Sequence, residues 1–263
     1  MLFLYLNNSN CMKFILLISA LLQLLFSFGQ KKKSPLSVKR NFITSLKVYQ
    51  GNDTLFKSKH NHLYKLTFIR DEELKSLASP MTCTSNSFAG TARKLSKTSI
   101  ASAHPQIMTF QNFIQSLPAD KLMTANPSIN SSPNNPRVNQ ENRNISLSGI
   151  YLFGIKRESD NDYHLIIGDK TGKYFNVEIS GLPLPSSTYY QALLKARAQA
   201  DTYFGKPNCN QGGYAIFAQG IKIQLSGSTF YDIDHAPGTV GPQGYKPTTS
   251  WEIHPVTDIK FLQ

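Results

Sequence analysis

From Ile145 onward, apolar residues return at every second position, and a chain written that way folds as strands with one face buried. Ile145, Leu147, Gly149, Tyr151, Phe153 and Ile155 form the first such run, Tyr163, Leu165 and Ile167 the second, and Phe175, Val177 and Ile179 the third. Ala215, Phe217, Gln219, Ile221, Ile223 and Leu225 mark a fourth strand, and Ile253, Thr257, Ile259 and Phe261 a fifth. GDKTGK, residues 168–173, has the Asp and Gly of a hairpin loop. Segment 186–204 interrupts the alternation. It opens on serines suited to a cap, sets Tyr190, Leu193, Leu194 and Ala198 at helical spacing, and meets Gly205 and Pro207. Three strands, a helix and two strands is the order of the OB-fold. The expected fold is therefore mainly β: a five-stranded OB-like barrel with one helix between strands 3 and 4, whose closure removes exposed edges. The Gly- and Pro-rich stretch 226–250 then joins strands four and five.

Upstream the pattern changes. Residues 106–117 place Ile107, Phe110, Phe113, Ile114 and Leu117 at helical spacing before Pro118, which predicts a short amphipathic helix. ANPSINSSPNNPRVNQENRN, with its prolines and asparagines, reads as an irregular lead-in to the first strand. Residues 75–103, rich in Ser, Thr and Lys, read as linker or disorder. Within 41–70, GND lies between two mixed runs that pair as a hairpin, and His60 and His62 share a strand face without a nearby carboxylate to complete a metal site.

The whole chain carries a net charge of +12, and most of the excess, 14 Lys and Arg against 4 Asp and Glu, lies in residues 31–100. This basic region suits an anionic envelope surface and lacks the aromatic interleaving of a single-strand nucleic-acid binder. From Met12, MKFILLISALLQLLFSFGQ reads as a secretory leader too short to span a membrane, with cleavage expected after Gly29. The start is Met1 or Met12. The domain division is 1–29 leader, 30–105 basic region and linker, and 106–263 barrel with its helix and lead-in. The mature chain keeps Cys83 and Cys209, which could bridge in an oxidising compartment and show no zinc or redox spacing.

SDNDYHLIIGD, residues 159–169, concentrates polar chemistry at the start of the second strand. Alternation sets Asp160, Asp162 and His164 to one side and Tyr163, Leu165 and Ile167 to the other. His235 falls in the loop before the fifth strand, and Glu252 and His254 alternate along that strand. Asp160, Asp162, His164 and His235 are the candidate ligand-binding residues. His164, His235 and His254 are the candidate metal ligands, because imidazole and carboxylate suit zinc and related ions. No motif calls for a cofactor; a divalent metal at these histidines is the one candidate. The rival reading makes the aspartates turn formers that bond the backbone.

PRVNQENRNISLSGIYLFGIKRESDNDYHLIIGD, FNVEISG, FYDIDHAPG and WEIHPVTDIKF resemble a family of uncharacterised exported bacterial proteins. The family's pattern runs Asp-Gly-Asp-Tyr-His-Leu to Glu-Leu-His-Pro-Val, over roughly residues 108–262 here, with Asn161 in place of the usual glycine. The resemblance implies an OB-like barrel and brings no reaction with it.

Glu158, Asp160, Asp162 and Asp169 neutralise Lys156, Arg157, Lys170 and Lys173, so a carbohydrate, peptide or protein partner fits better than nucleic acid. Tyr174, Tyr231, Tyr245 and Trp251 are candidate stacking faces. The chain thus reads as an exported, non-catalytic binding module. Its alternatives are a metal-dependent hydrolase of phosphodiesterase or nuclease type, built on His164, His235, Glu252 and His254, and an envelope-associated structural protein.

Overall fold

Alternation builds the middle of the fold as the sequence suggests, but not its extent. The computed structural model describes residues 54–57, 63–70, 85–205 and 213–262. Its strands are β1 (Thr54–Lys57), β2 (Leu63–Arg70), β3 (Pro105–Met108), β4 (Asn144–Arg157), β5 (Tyr163–Gly168), β6 (Tyr174–Ile179), β7 (Gly213–Tyr231) and β8 (Trp251–Phe261). All eight belong to one mixed sheet, in the order β1-β2-β7-β8-β6-β5-β4-β3, and β7 also pairs with β4.

This corrects the expected five-stranded OB-like barrel. The five strands read from alternation are the middle of a larger sheet, extended by β2 on β7 and by the parallel β3 on β4. The long helix, α4 (Tyr190–Phe204), follows the strand read as the third from alternation, but in this sheet the strands on either side of it are the sixth and seventh of eight and not the third and fourth. It begins later than its serines suggest, with no side-chain cap, and ends at Gly205, whose φ of 77° suits glycine. Leu193, Ala196, Ala200 and Phe204, at three- and four-residue spacing, turn its buried face inward.

The upstream readings need correction as well. β1 pairs antiparallel with β2, Lys57 opposite Leu63, so the paired strands both follow GND and do not flank it. His60 and His62, like Cys83 and Cys209, lie outside the described residues. The helix expected over 106–117 is shortened to α2 (Phe110–Gln115), capped by the Thr109 side chain accepting from Asn112 N–H. The preceding residues form β3, and Ile107, taken for part of an apolar helix face, is 87% exposed. Two further short helices are α1 (Lys94–Lys97) and α3 (Asp120–Thr124).

From Ser85 the expected linker is packed: Phe88, Arg93, Ser96, Thr98 and Ala101 are buried. Low hydrophobicity misleads here because polar partners, not apolar ones, hold the segment. Arg93 makes a two-pronged ion pair with buried Glu141, at 2.7 and 2.8 Å. Arg137 donates to the carbonyls of Ser96 and Ser99 on this segment and to those of Thr229 on β7 and His254 on β8. Gly181 permits the close approach, since a Cβ there would sit 2.6 Å from Phe88 Cα.

The main core lies on one face of the sheet. Leu165 and Ile167 from β5, Phe175 and Val177 from β6, Ile221 and Ile223 from β7, and Ile253 from β8 fill it with α4 and α2. Yet β5 is buried at every position and β6 at all but Tyr174. The opposite face is therefore covered too, and its residues are largely polar.

Candidate metal centre

Strand register assembles this second face. His164 on β5 lies directly opposite Glu178 on β6. On the other side of β6, Asn176 is the partner of Glu252 on β8, which brings His254 beside Glu178. Asp162 enters from the β4–β5 turn, closed by hydrogen bonds of Glu158 N–H to Asp162 O and of Asn161 N–H to Glu158 O. Asn161 holds a left-handed φ of 77°, where glycine or asparagine is favoured. Its amide is used on both sides: Oδ1 accepts from Arg157 and Nδ2 donates to Ser87 O. Asparagine thus performs structural work a glycine could not.

Glu178 is the centre of the arrangement. Its Oε1 is 3.3 Å from His164 Nδ1, and its Oε2 is 2.8 Å from His254 Nδ1. His164 Nδ1 also lies 3.3 Å from Glu158 Oε1, and His254 Nε2 lies 3.4 Å from Asp162 Oδ2. Two sets of potential metal ligands result, Glu158–His164–Glu178 and Asp162–Glu178–His254, each with its donor atoms within 4.8 Å of one another. Asp162, His164, Glu178 and His254 are all buried, whereas the Glu158 side chain is 27% exposed and marks the edge of the cluster.

The polar atoms are incompletely satisfied. Asp162 Oδ2, Glu252 Oε2, His164 Nε2 and both ring nitrogens of His254 are buried without a hydrogen bond. The 2.8 Å approach of His254 Nδ1 to Glu178 is short but outside hydrogen-bond alignment. Buried polar groups are normally bonded, and buried charges are paired or coordinate metals.

Electrostatics separate the carboxyls sharply. Burial raises Glu178, but the imidazoles of His254 and His164 and the Lys97 ammonium outweigh it and hold its carboxyl well below the usual range. Burial, reinforced by neighbouring carboxylates, pushes Asp162 and Glu252 well above theirs. Asp160, mostly through burial and then Glu158 and Glu178, rises to about 6. His254 is pushed down by burial. Burial opposes His164 as well, yet its contact with Glu158 and the charge of Glu178 raise it. Lys97 is raised against burial by Glu178, Asp232, Asp162 and Glu252, so it remains an ammonium facing the carboxylates. Glu178 and His254 are thus shifted toward the ionised carboxylate and neutral imidazole that metal ligation needs, and Asp162 and His164 the other way, so an ion would displace their protons.

The structure brings together Asp162, His164, Glu252 and His254 from the sequence candidates. His235 is separate from both ligand sets: it sits in the loop after β7, 44% exposed, with Nδ1 2.7 Å from Asp232 Oδ2. Asp160 Oδ1 accepts from Asp162 N–H, as the turn reading expected of it. Tyr231 and Trp251, taken as stacking faces, are buried at 1% and 0% exposure and form core. Sequence reasoning missed Glu178, Lys97 and the ligand role of Glu158, which it counted only as a neutraliser; Glu158 does pair with Lys156 at 2.9 Å. The available signal for Glu178 was a lone carboxylate between Val177 and Ile179 on a strand otherwise read as buried.

Comparison with family models, curated proteins and solved structures returned no match to this chain. The resemblance to an exported bacterial family is accordingly not upheld. The expectation of a purely non-catalytic binding module is also corrected, because two ligand sets that could hold a metal ion converge on one carboxylate. Among the described residues no helix is long and apolar enough to cross a membrane.

Proposed function

We propose that this chain is a metal-dependent hydrolase of phosphodiesters. The observation that carries the reading is the convergence of Asp162, Glu178 and His254, all buried, with both His254 nitrogens lacking an aligned hydrogen bond. A bound divalent ion supplies Lewis acidity and lowers the pKa of water to about 7. The chain's own residues supply the rest. Glu178 holds two imidazoles from its two oxygens. Lys97, kept protonated by the carboxylates around it, offers a cation to a non-bridging phosphate oxygen. Glu158, at the edge, is the side on which substrate approaches. In the reaction, water oxygen bonds to phosphorus, the bond from phosphorus to one ester oxygen breaks, and the proton lost by water ends on the departing alkoxide. The reading places the site outside the cytoplasm, supported by the leader-like segment before Gly29.

The test is hydrolysis of bis(4-nitrophenyl) phosphate by protein stripped with a chelator and reloaded with manganese or zinc. Activity that returns with metal and is lost in His254→Ala supports the reading. A folded protein that takes up no ion, or takes it up without hydrolysing the ester, overturns it.

A further inference from the structure

We propose that Glu178 bridges two divalent cations, one held with Glu158 and His164 and the other with Asp162 and His254. The inference rests on the metal-dependent reading and deepens it from a single ion to a pair.

Three observations carry it. The first is orientation: the two oxygens of Glu178 face different histidines on different strands, His164 on β5 and His254 on β8. A carboxylate serving one ion with both oxygens would have its partners gathered on one side. The second is spacing. Donor atoms bound about 2.1 Å from a tetrahedral ion lie about 3.4 Å from one another. His164 Nδ1 meets this spacing from a single nitrogen, 3.3 Å from both Glu158 and Glu178, whereas His254 divides its nitrogens, Nε2 lying 3.4 Å from Asp162 and Nδ1 2.8 Å from Glu178. The 3.3 and 3.4 Å distances are long for charge-assisted hydrogen bonds, which fall nearer 2.7–2.9 Å, the range in which the His254 Nδ1 to Glu178 contact lies.

The third observation is the bonding of the buried imidazoles. His254 is 0% exposed with both nitrogens unbonded, while His164, 2% exposed, leaves Nε2 unbonded. A histidine enclosed in this way normally donates one ring N–H to a carboxylate or carbonyl. His164 keeps such a bond through Nδ1 to Glu158, whereas His254 makes none and turns Nε2 toward Asp162 at 3.4 Å. Pairs of metal ions about 3.5–4 Å apart are used to stabilise both the attacking and leaving oxygens of phosphoryl transfer. A shared carboxylate is a compact way to hold such a pair.

The experiment measures manganese bound per folded chain by elemental analysis, together with the electron paramagnetic resonance spectrum of the loaded protein. Two ions per chain with an exchange-coupled spectrum are expected. Glu158→Gln, a change at the more exposed edge, should reduce the count to one and remove the coupling. His254→Ala should likewise leave one ion, and circular dichroism establishes that each variant is folded. One ion in the wild type, unaffected by Glu158→Gln, would overturn the bridge and leave the single-ion reading standing on Asp162, Glu178 and His254. No ion in folded wild-type protein would overturn both.

Discussion

The two faces of β5 and β6 are equally buried and built on opposite principles. On one, Leu165, Ile167, Phe175 and Val177 pack against apolar neighbours and need no partner beyond a matching shape. On the other, His164 and Glu178 occupy the alternate positions and meet Asp162, Glu252 and His254, so each group depends on the charge state of the next. The difference teaches where this molecule keeps stability and where it keeps chemistry. A buried apolar side chain gains by exclusion from water alone, about 1.5–3 kcal/mol when fully enclosed. A buried carboxylate loses by the same exclusion unless a cation or a proton compensates it.

Breaking the apolar face should have the largest effect. Phe175, fully buried and edge-on to Phe113 with ring centroids 5.1 Å apart, leaves a cavity when truncated. Phe175→Ala should cost about 3–5 kcal/mol in urea unfolding. A loss below about 1 kcal/mol would mean that the core collapses around the gap and is less tightly specified than its burial implies.

On the polar face the next largest effect should come from a ligand. A divalent ion at a hundredfold excess over its dissociation constant stabilises the folded chain by about 2.7 kcal/mol if only that state binds it. Thermal unfolding with manganese and then with chelator should show a rise and its reversal, both absent in His254→Ala. The core variant Phe175→Ala should retain the full metal-dependent increment, because the two faces are separate in composition.

Glu252 gives a smaller effect of opposite sign. Burial raises its folded-state pKa well above the unfolded value of about 4.3. The folded protein therefore holds the extra proton, and wild-type stability falls as pH rises from the unfolded pKa through the folded one. Glu252→Gln has no proton to lose. In metal-free protein it should be more stable than wild type at pH 8, by about 1 kcal/mol or more, and the gain should vanish near pH 4. Equal stability at both pH values would place a compensating cation beside Glu252 in the metal-free state.

Legibility in the sequence follows the same division. Apolar alternation marks a buried face directly, so the centres of β4 to β8 were readable from Ile145, Leu165, Val177, Ile223 and Ile253. What alternation does not encode is which strands pair beyond their neighbours, and so β2 joining β7 and β3 joining β4 were invisible. The packing of 85–101 was hidden for a different reason. Its anchors are Arg93, held by Glu141, and Ser96, whose hydroxyl donates to Asn135 O, and polar anchors look like solvated residues in a sequence. Within the site, His164 and His254 were readable as unusual, but Glu178 and Lys97 become significant only through register and through the segment folded across the sheet.

The smallest expected effect sets one histidine against another. His235 is raised to about 9, first by its hydrogen bond with Asp232 and further by the charges of Asp232, Glu178 and Glu158. His254 is lowered by burial despite Glu178 beside it. Both have carboxylate neighbours, so the sign is decided by solvent: a 44% exposed ring keeps enough hydration for its partner to prevail, and a fully enclosed one does not. Nuclear magnetic resonance titration of the metal-free protein should find His235 changing near pH 9 and His254 below the ordinary imidazole range. Asp232→Asn removes the largest raising contact, so it should lower His235 from about 9 and leave His254 in place. The stabilisation linked to His235 is present below its unfolded pKa of about 6.5 and is lost as pH rises through the folded value; at this exposure it should not exceed about 0.5 kcal/mol. Should His254 move with Asp232→Asn, the loop after β7 and the buried ligand set would titrate as one unit, and the division between an exposed and an enclosed histidine would fail.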